Sequence, residues 1–580
     1  MLHWLLDGGG NVTIGADYTL TVGSSVELPE ADIVAEGGTV RFAAAKAGTF
    51  TRARSVTLNT GTLTVDSPSN GAVVHMVAGV LKTGIYKKGS GGISTVAIAN
   101  DSADDSTLQV GSIANATGVE MLQVKKAVTG AGAAKVVVDD TTGLALTGAG
   151  ETGSINAPVS QFVRVDNSLA TYDSGDGLRP LNANEYESFT APCDVSPVTS
   201  GANIYVGGSG TATIPASVNV NSIRVDGDVI LEAGDQAVLS VGSGAIDVTS
   251  VSSAEIIVPL AFGGVHGFIS GGSSKKYSLK SSISGTAGLT IAELNAGIGS
   301  TGAILYGAGS SYSGDTYIFG YCAPKSATDF FPHGQDRAGD IYLYGKMDFN
   351  GGSVTINALN GAGVVTCNGS RGSTMSLVGS TDGDYIGTFV NNSGGANFTM
   401  YKTGSGKQRF AGALGWKYSF TIENGEFQVD GSLSVNRDKS TLTVGENGVL
   451  SGCGTIHANT KINLYGRIVP GSDELSKDEM LLRRTMSCFA GCSMAFNAGK
   501  DRVTQLVCEE AITGSDVEIS VTVTGDGSGK WKLLEAPSIE PTFKKASGSG
   551  RLLRIAAADS VSGNEELWFE RESGFGIRIR

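Results

Sequence analysis

The chain has 580 residues, of which 84 are Gly and only 13 are Pro, with 41% hydrophobic and 17% charged residues and a formal net charge of −14 at pH 7. It is too apolar for a disordered chain, lacks the Gly-X-Y period of collagen, and carries a charge that repels nucleic-acid phosphates. No apolar run reaches the ~18 residues of a membrane-crossing helix, so no transmembrane segment is expected. The N-terminus, MLHWLLDGGGNVTI, has no basic n-region and too short an apolar stretch for a complete signal peptide. Either the protein is not exported by that route or the sequence begins inside a longer chain, and the second is expected.

Period-two alternation starts at once. NVTIGADYTLTVGSSVEL places Val12, Ile14, Leu20 and Val22 on one side of their strands, and SVTLNTGTLTVD does the same with Val56, Leu58, Leu63 and Val65. Further on come SIRVDGDVILEAG, DIYLYGKMDFNGGSVTINAL, FTIENGEFQVDGSLSV and STLTVGENGVL, each broken by Gly, Asn-Gly or Asp-Gly. Strands this short need neighbours to cover them. TLTV recurs at Thr19, Thr62 and Thr441, and YKKGSGG at Tyr86 matches YKTGSGK at Tyr401. Repetition with variable loops predicts a solenoid, each coil forming the floor of the next. The expected fold is all-β: a single-stranded right-handed parallel β-helix with inward Val, Ile, Leu and Ala ladders and Thr or Ser outside.

Four sections are expected: an N-terminal solenoid over 1–172, a junction loop over 173–190, a central β-helix over 191–472 and a C-terminal β-rich cap over 473–580. The junction rests on DSGDGLRPLNANEYE, rich in Gly, Pro and Asn. The cap begins at the charged stretch DELSKDEMLLRRTM, where one helical turn is expected, and ends in longer aromatic strands. An open solenoid end is an unpaired sheet edge and must be covered.

The sequence offers little that reads as catalysis. The acidic candidates Asp101, Asp104, Asp105, Asp139, Asp140, Asp173 and Asp176 lie in Ser- and Gly-rich sequence, where Asp caps turns. The five histidines fall in no metal-binding spacing, and Gly-x-Gly matches are expected by chance among so many glycines. Of the seven cysteines only Cys488 and Cys492, in CFAGC, are close. On a straight strand they would stand about 13 Å apart at ~3.3 Å per residue. That exceeds the ~7 Å between Cα atoms that a disulfide allows, so only a turn could join them. The cysteines are expected to be buried thiols, and no metal site or cofactor is expected. One aromatic cluster, Tyr312 to Gly334, offers Tyr312, Tyr317 and Tyr321 as candidate sugar-stacking residues, or else Tyr317, Phe319, Phe330 and Phe331 as interior filling.

YKTGSGKQRFAG, SSYSGDTYIFG, GKMDFNGGSVTINALNGAGVV, and the run FTIENGEFQVDGSL, TLTVGENGVLSGCGTI and KINLYGRIVPGS resemble successive pieces of the autotransporter-associated β-strand repeat. Its closing elements correspond to Gly448–Ile456 and Gly466–Gly471, and the resemblance is best over about residues 280–535. It implies a passenger-like stalk of a bacterial protein, secreted or held at the outer-membrane surface. The expected role is non-enzymatic adhesion or display, as a monomer, toward host or environmental glycans or surface proteins. The alternatives are a polysaccharide lyase or glycoside hydrolase on the same scaffold, marked by carboxylates and cations converging in one groove, and a purely structural spacer.

Overall fold

A computed structural model describes residues 10–571 apart from 44–47, 67–71, 78, 85–92, 250–252, 272–275, 295–301, 307–308, 326–329, 335–338, 350, 368–371, 392–397, 417–418, 436–440, 459–460, 473–477, 500–501, 525–528, 547–549, 557–558 and 561–562. The chain is 63% strand and 2% helix and forms a β-solenoid of about 20 turns with parallel stacked strands. Two compact units divide it, Met1–Pro332 with Tyr342–Met347, and His333–Ile341 with Asp348–Arg580.

The first unit opens with two parallel sheets. Asn11–Gly15, Leu28–Glu36, Gly48–Asn59, Ala72–Met76, Ser106–Asn115 and Ala134–Asp140 follow one another in the first. The second carries Thr19–Val22, Thr39–Phe42, Thr62–Val65, Ser94–Asn100, Leu122–Val128 and Val163–Val165. Alternation places every second side chain inside, so register aligns Leu20, Val40, Leu63, Val96, Val124 and Val165 as one apolar ladder. Later in the same unit Ile223, Ile246, Ile269, Ile291 and Ile318 stack in the same way. Each fully buried aliphatic side chain contributes about 1.5–3 kcal/mol, and a ladder repeats that gain at every coil.

The stretch expected as a junction loop is ordered structure. Ser168–Asp173 and Gly177–Pro180 form an antiparallel hairpin, and Ala183–Glu185 makes a 3-10 turn. Glu185 accepts from Arg179 Nη1 at 2.7 Å and from the backbone N–H groups of Asn182 and Gly153, each at 2.7 Å. The Asn182-x-x-Glu185 spacing is a capping box that explains the turn.

In the second unit a coil has three sides, seen in Glu479–Leu482, Met486–Cys488 and Ser493–Ala498 and again in Gln505–Cys508, Ile512–Gly514 and Val517–Val523. Hydrogen bonds from one coil to the next include pairs 21 to 26 residues apart. The helical turn expected near 473–486 is not formed in its described part. Met480 and Leu482 are instead inward residues of a strand that pairs with Thr455–Ala458 and Gln505–Cys508, and residues 473–477 lie outside the described residues. Unit 2 ends as an antiparallel sheet: Glu565–Arg571 pairs with Gly529–Ala536 on one side and Arg551–Ile555 on the other. Trp531 and Phe569 stack across it at 6.0 Å.

Candidate functional site

The densest group of chemistry-bearing side chains lies within the first unit. Strands Val163–Val165, Gly267–Gly271 and Leu289–Glu293 are buried at every residue. A solenoid strand with one face in the coil interior shows this pattern only when its other face is also covered. The covering is mutual: one apolar cluster joins Met121, Leu122 and Phe162 to Phe268, Ala292 and Leu294. Polar outward residues of both segments, Gln123 and Arg164 on one side and Ser270 and Thr290 on the other, meet at this seam among the apolar ones.

Arg164 is fully buried on the outward face of Val163–Val165. Its Nε donates to Ser270 Oγ at 2.9 Å, and its Nη1 donates to the carbonyls of Gln161 at 2.9 Å and Val163 at 3.0 Å. Ser270 Oγ lies 3.1 Å from Asp247 Oδ1. Burial lowers the Arg164 guanidinium to about 10 and raises the Asp247 carboxyl, whose charge Arg164 and Arg224 favour. Arg224 also donates to Ser168 Oγ and, at 3.2 Å, to Asp226 Oδ2. Nearby, Gln123 Nε2 donates to the Leu294 carbonyl at 2.9 Å, and Thr290 Oγ1 donates to the Val119 carbonyl at 2.6 Å while meeting His266 Nε2 at 2.8 Å.

Two buried carboxyls accompany this network. Glu120 is 3% exposed, and neither of its oxygens meets hydrogen-bond geometry. Burial pushes it up to about 8, and the adjacent Thr83 hydroxyl offsets this only in part. Glu293 is also raised to about 8 by burial, with the Tyr321 backbone opposing. His266 is lowered to about 4 by burial.

The aromatic cluster belongs to the same seam. Tyr317 stacks on Tyr342 at 4.8 Å and Phe319 on Tyr344 at 5.5 Å, one coil apart. Tyr312 is 2% exposed and hydrogen-bonds Thr316 Oγ1 at 2.6 Å, and Tyr321 is 4% exposed. Burial removes Tyr312 and Tyr321 from any surface a sugar ring could reach, and Tyr317 offers only a part-covered edge of a stack. Phe330 and Phe331 are buried, as the alternative expectation has it, whereas Tyr317 and Phe319 stack on the outward face of their strand, opposite the inward Ile318.

Four of the acidic candidates hold turns and strand ends. Asp105 accepts from Ala133 N at 2.8 Å and pairs with Lys135, Asp139 accepts from Gln109, Asp140 caps the 3-10 turn Thr141–Leu144 through Thr142 N, and Asp173 accepts from Gly175 N. No convergent carboxylate pair results from these bonds. Among the described residues no group of three His, Cys, Asp or Glu side chains could hold a metal ion, and no helix is long and apolar enough to cross a membrane. A cavity of about 10 Å³ between Val365, Phe389 and Phe398 holds no more than a water. An open one of about 330 Å³ is walled by Gly491, Cys492, Asp516, Glu518 and Lys544 and bears no aromatic ring.

The sequence reading missed Arg164, Asp247, Glu120 and Glu293. Its one available signal was a charge inside an apolar strand, as in FVRVD and AIDVT. No family model matches the chain, and comparison with curated proteins finds no match either.

Proposed function

We propose that the chain is a β-helical stalk of the autotransporter-associated β-strand repeat kind. In this reading it is exported by a bacterium, secreted or held at the outer-membrane surface, and serves adhesion or display without catalysis. One observation carries the reading: outward charged groups are used between coils. Arg54 pairs with Asp32, Arg41 with Asp66, Arg409 with Asp384, and Arg484 with Glu510, each pair joining adjacent coils. Exposed pairs of this sort contribute about 0–1 kcal/mol each. They spread charge along the stack, whereas a polysaccharide-degrading groove gathers it at one place.

The test uses an antibody against the purified chain. Intact producing cells are treated with protease, and the chain is followed in the cell, outer-membrane and medium fractions. Digestion on intact cells, or recovery from the medium, is expected; retention in the cytoplasm would overturn the export reading. Purified chain on beads is then scored against glycan and matrix-protein surfaces. Release of reducing sugar from a polysaccharide panel would replace the stalk with the enzyme.

A further inference from the structure

The geometry points to a redox site in the second unit, at which Cys488 and Cys492 close reversibly into a disulfide through exchange with a small disulfide such as oxidised glutathione. Strand Met486–Cys488 ends at one thiol, and Cys492 immediately precedes strand Ser493–Ala498. Between them the chain reverses in a tight turn: Cys492 N donates to the Phe489 carbonyl at 3.2 Å, and Gly491 holds φ at +91°, a conformation that costs glycine little. The turn brings together two side chains that a straight strand would hold far apart.

Both cysteines are buried, at 2% and 1% exposure, beneath Ala490 and Gly491, which are exposed. The two thiols interact, and that interaction favours the thiolate at Cys492 and disfavours it at Cys488. Cys492 lines the open cavity and Cys488 does not, which assigns the attacking role to Cys492 and the resolving role to Cys488. The open cavity of about 330 Å³ has Gly491 and Cys492 in its wall, so a small reagent can approach from that side. Lys544, paired with Asp516 at 2.7 Å, stands at the same wall.

The step balances. The Cys492 thiolate attacks one sulfur of the oxidised glutathione, forming a mixed disulfide and expelling one glutathione thiolate. Cys488 gives its proton to that thiolate and attacks the Cys492 sulfur, and the second glutathione leaves as a thiolate that takes a proton from water. Two protein thiols are oxidised and one glutathione disulfide is reduced to two thiols. Cys508 is the nearest rival partner. It is buried in the interior ladder that follows Ile456 and Leu482, on a different side of the coil from Cys488.

Native full-length chain is equilibrated in glutathione buffers of rising oxidised fraction, quenched with acid, alkylated and digested with trypsin. Cleavage after Arg484, Lys500 and Arg502 leaves Cys488 and Cys492 in one peptide and Cys508 in another. The expected result is loss of both alkylation sites from the first peptide, reversed by reduced glutathione, with Cys488→Ser trapping glutathione on Cys492. The pair staying alkylated under fully oxidised buffer, while oxidising once the chain is unfolded in urea, would overturn the assignment. So would a cross-link joining the two peptides through Cys508. The wild-type mapping decides the matter without any variant, so a misfolded serine mutant leaves the test intact.

Discussion

Arg164 and Asp247 are both wholly buried and are joined through Ser270 Oγ, at 2.9 Å from Arg164 Nε and 3.1 Å from Asp247 Oδ1, so each makes the other tolerable. Removing one partner of a buried pair costs about 3–5 kcal/mol, while replacing both with neutral groups is often neutral. Arg164→Met is therefore expected to destabilise the first unit by several kcal/mol, and Arg164→Met with Asp247→Asn to recover most of the loss. Hydrogen exchange of segment 163–173 against urea would read both variants, and equal damage in the two would show that the charge pair does not set the cost. Glu120 adds a pH signature. Its ordinary value is 4.5 and its folded value about 8. Below 4.5 both states hold the proton and this stabilising contribution is complete. Between 4.5 and about 8 the unfolded chain releases a proton that the folded chain keeps, so stability falls as pH rises, by up to about 1.4 kcal/mol per pH unit. Glu293 acts in the same sense. His266 acts in the opposite one, losing stability as pH falls from 6.5 toward 4. Of these three groups only the carboxyls still titrate above pH 6.5, and Glu120→Gln is expected to shallow the decline between pH 6.5 and 8, read by urea-dependent exchange of segment 122–128. An unchanged slope would mean that Glu120 ionises freely in the fold.

At the scale of the element, the coil repeats through its corners. A Cβ on Gly412 would stand 1.8 Å from the Gly387 carbonyl oxygen, one on Gly431 would stand 2.0 Å from that of Gly412, and one on Gly454 would stand 2.2 Å from that of Gly431. Each corner stacks directly on the corner below, and the clashing atom is backbone that is itself fixed by the stack. Overpacking a tight site costs about 1–3 kcal/mol and sometimes more. Gly412→Ala is expected at or above the top of that range. Gly264→Ala, whose Cβ would meet only the Thr286 hydroxyl at 3.8 Å, is expected to be near neutral. Thermal melts of the two variants separate a steric corner from a general glycine effect. The strands and ladders were legible from period-two alternation because the interior imposes it residue by residue, as at Val56, Leu58, Leu63 and Val65. The seam was not. Arg164 meets Ser270 across 106 positions, and Thr290 meets Val119 across 171, and no local pattern encodes which outward strand face another segment covers. The misread charged stretch at 479–482 has the same origin, since Met480 and Leu482 gain their strand partners from the coils on either side.

At the scale of the whole molecule, a solenoid differs from a closed globule in that its last coil exposes unpaired N–H and C=O groups, a template on which another copy can add. The chain meets this with a change of strand direction. Gly529–Ala536 still pairs in parallel with Gln505–Cys508, but its other edge is taken by Glu565–Arg571 running antiparallel, which Arg551–Ile555 covers in turn. The cap also carries charge: Arg551 pairs with Glu570 at 2.6 Å, and Arg554 pairs with Glu565 at 2.7 Å. Leu567 and Phe569 are buried by these strands, so their loss exposes apolar side chains and a bare edge together. A chain ending at Ala546 is therefore expected to keep the strand content of its remaining coils and to assemble with rising concentration, whereas the full chain sediments as one species. Sedimentation velocity over a concentration series, with far-ultraviolet circular dichroism on the same samples, reads both properties. A truncated chain that stays monomeric with its strand content intact would move the edge protection from the antiparallel cap to the twist and charge of Gly529–Ala536 itself. A truncated chain that loses its strand content would make the cap a requirement for folding the final coils, with protection of their edge a consequence of it.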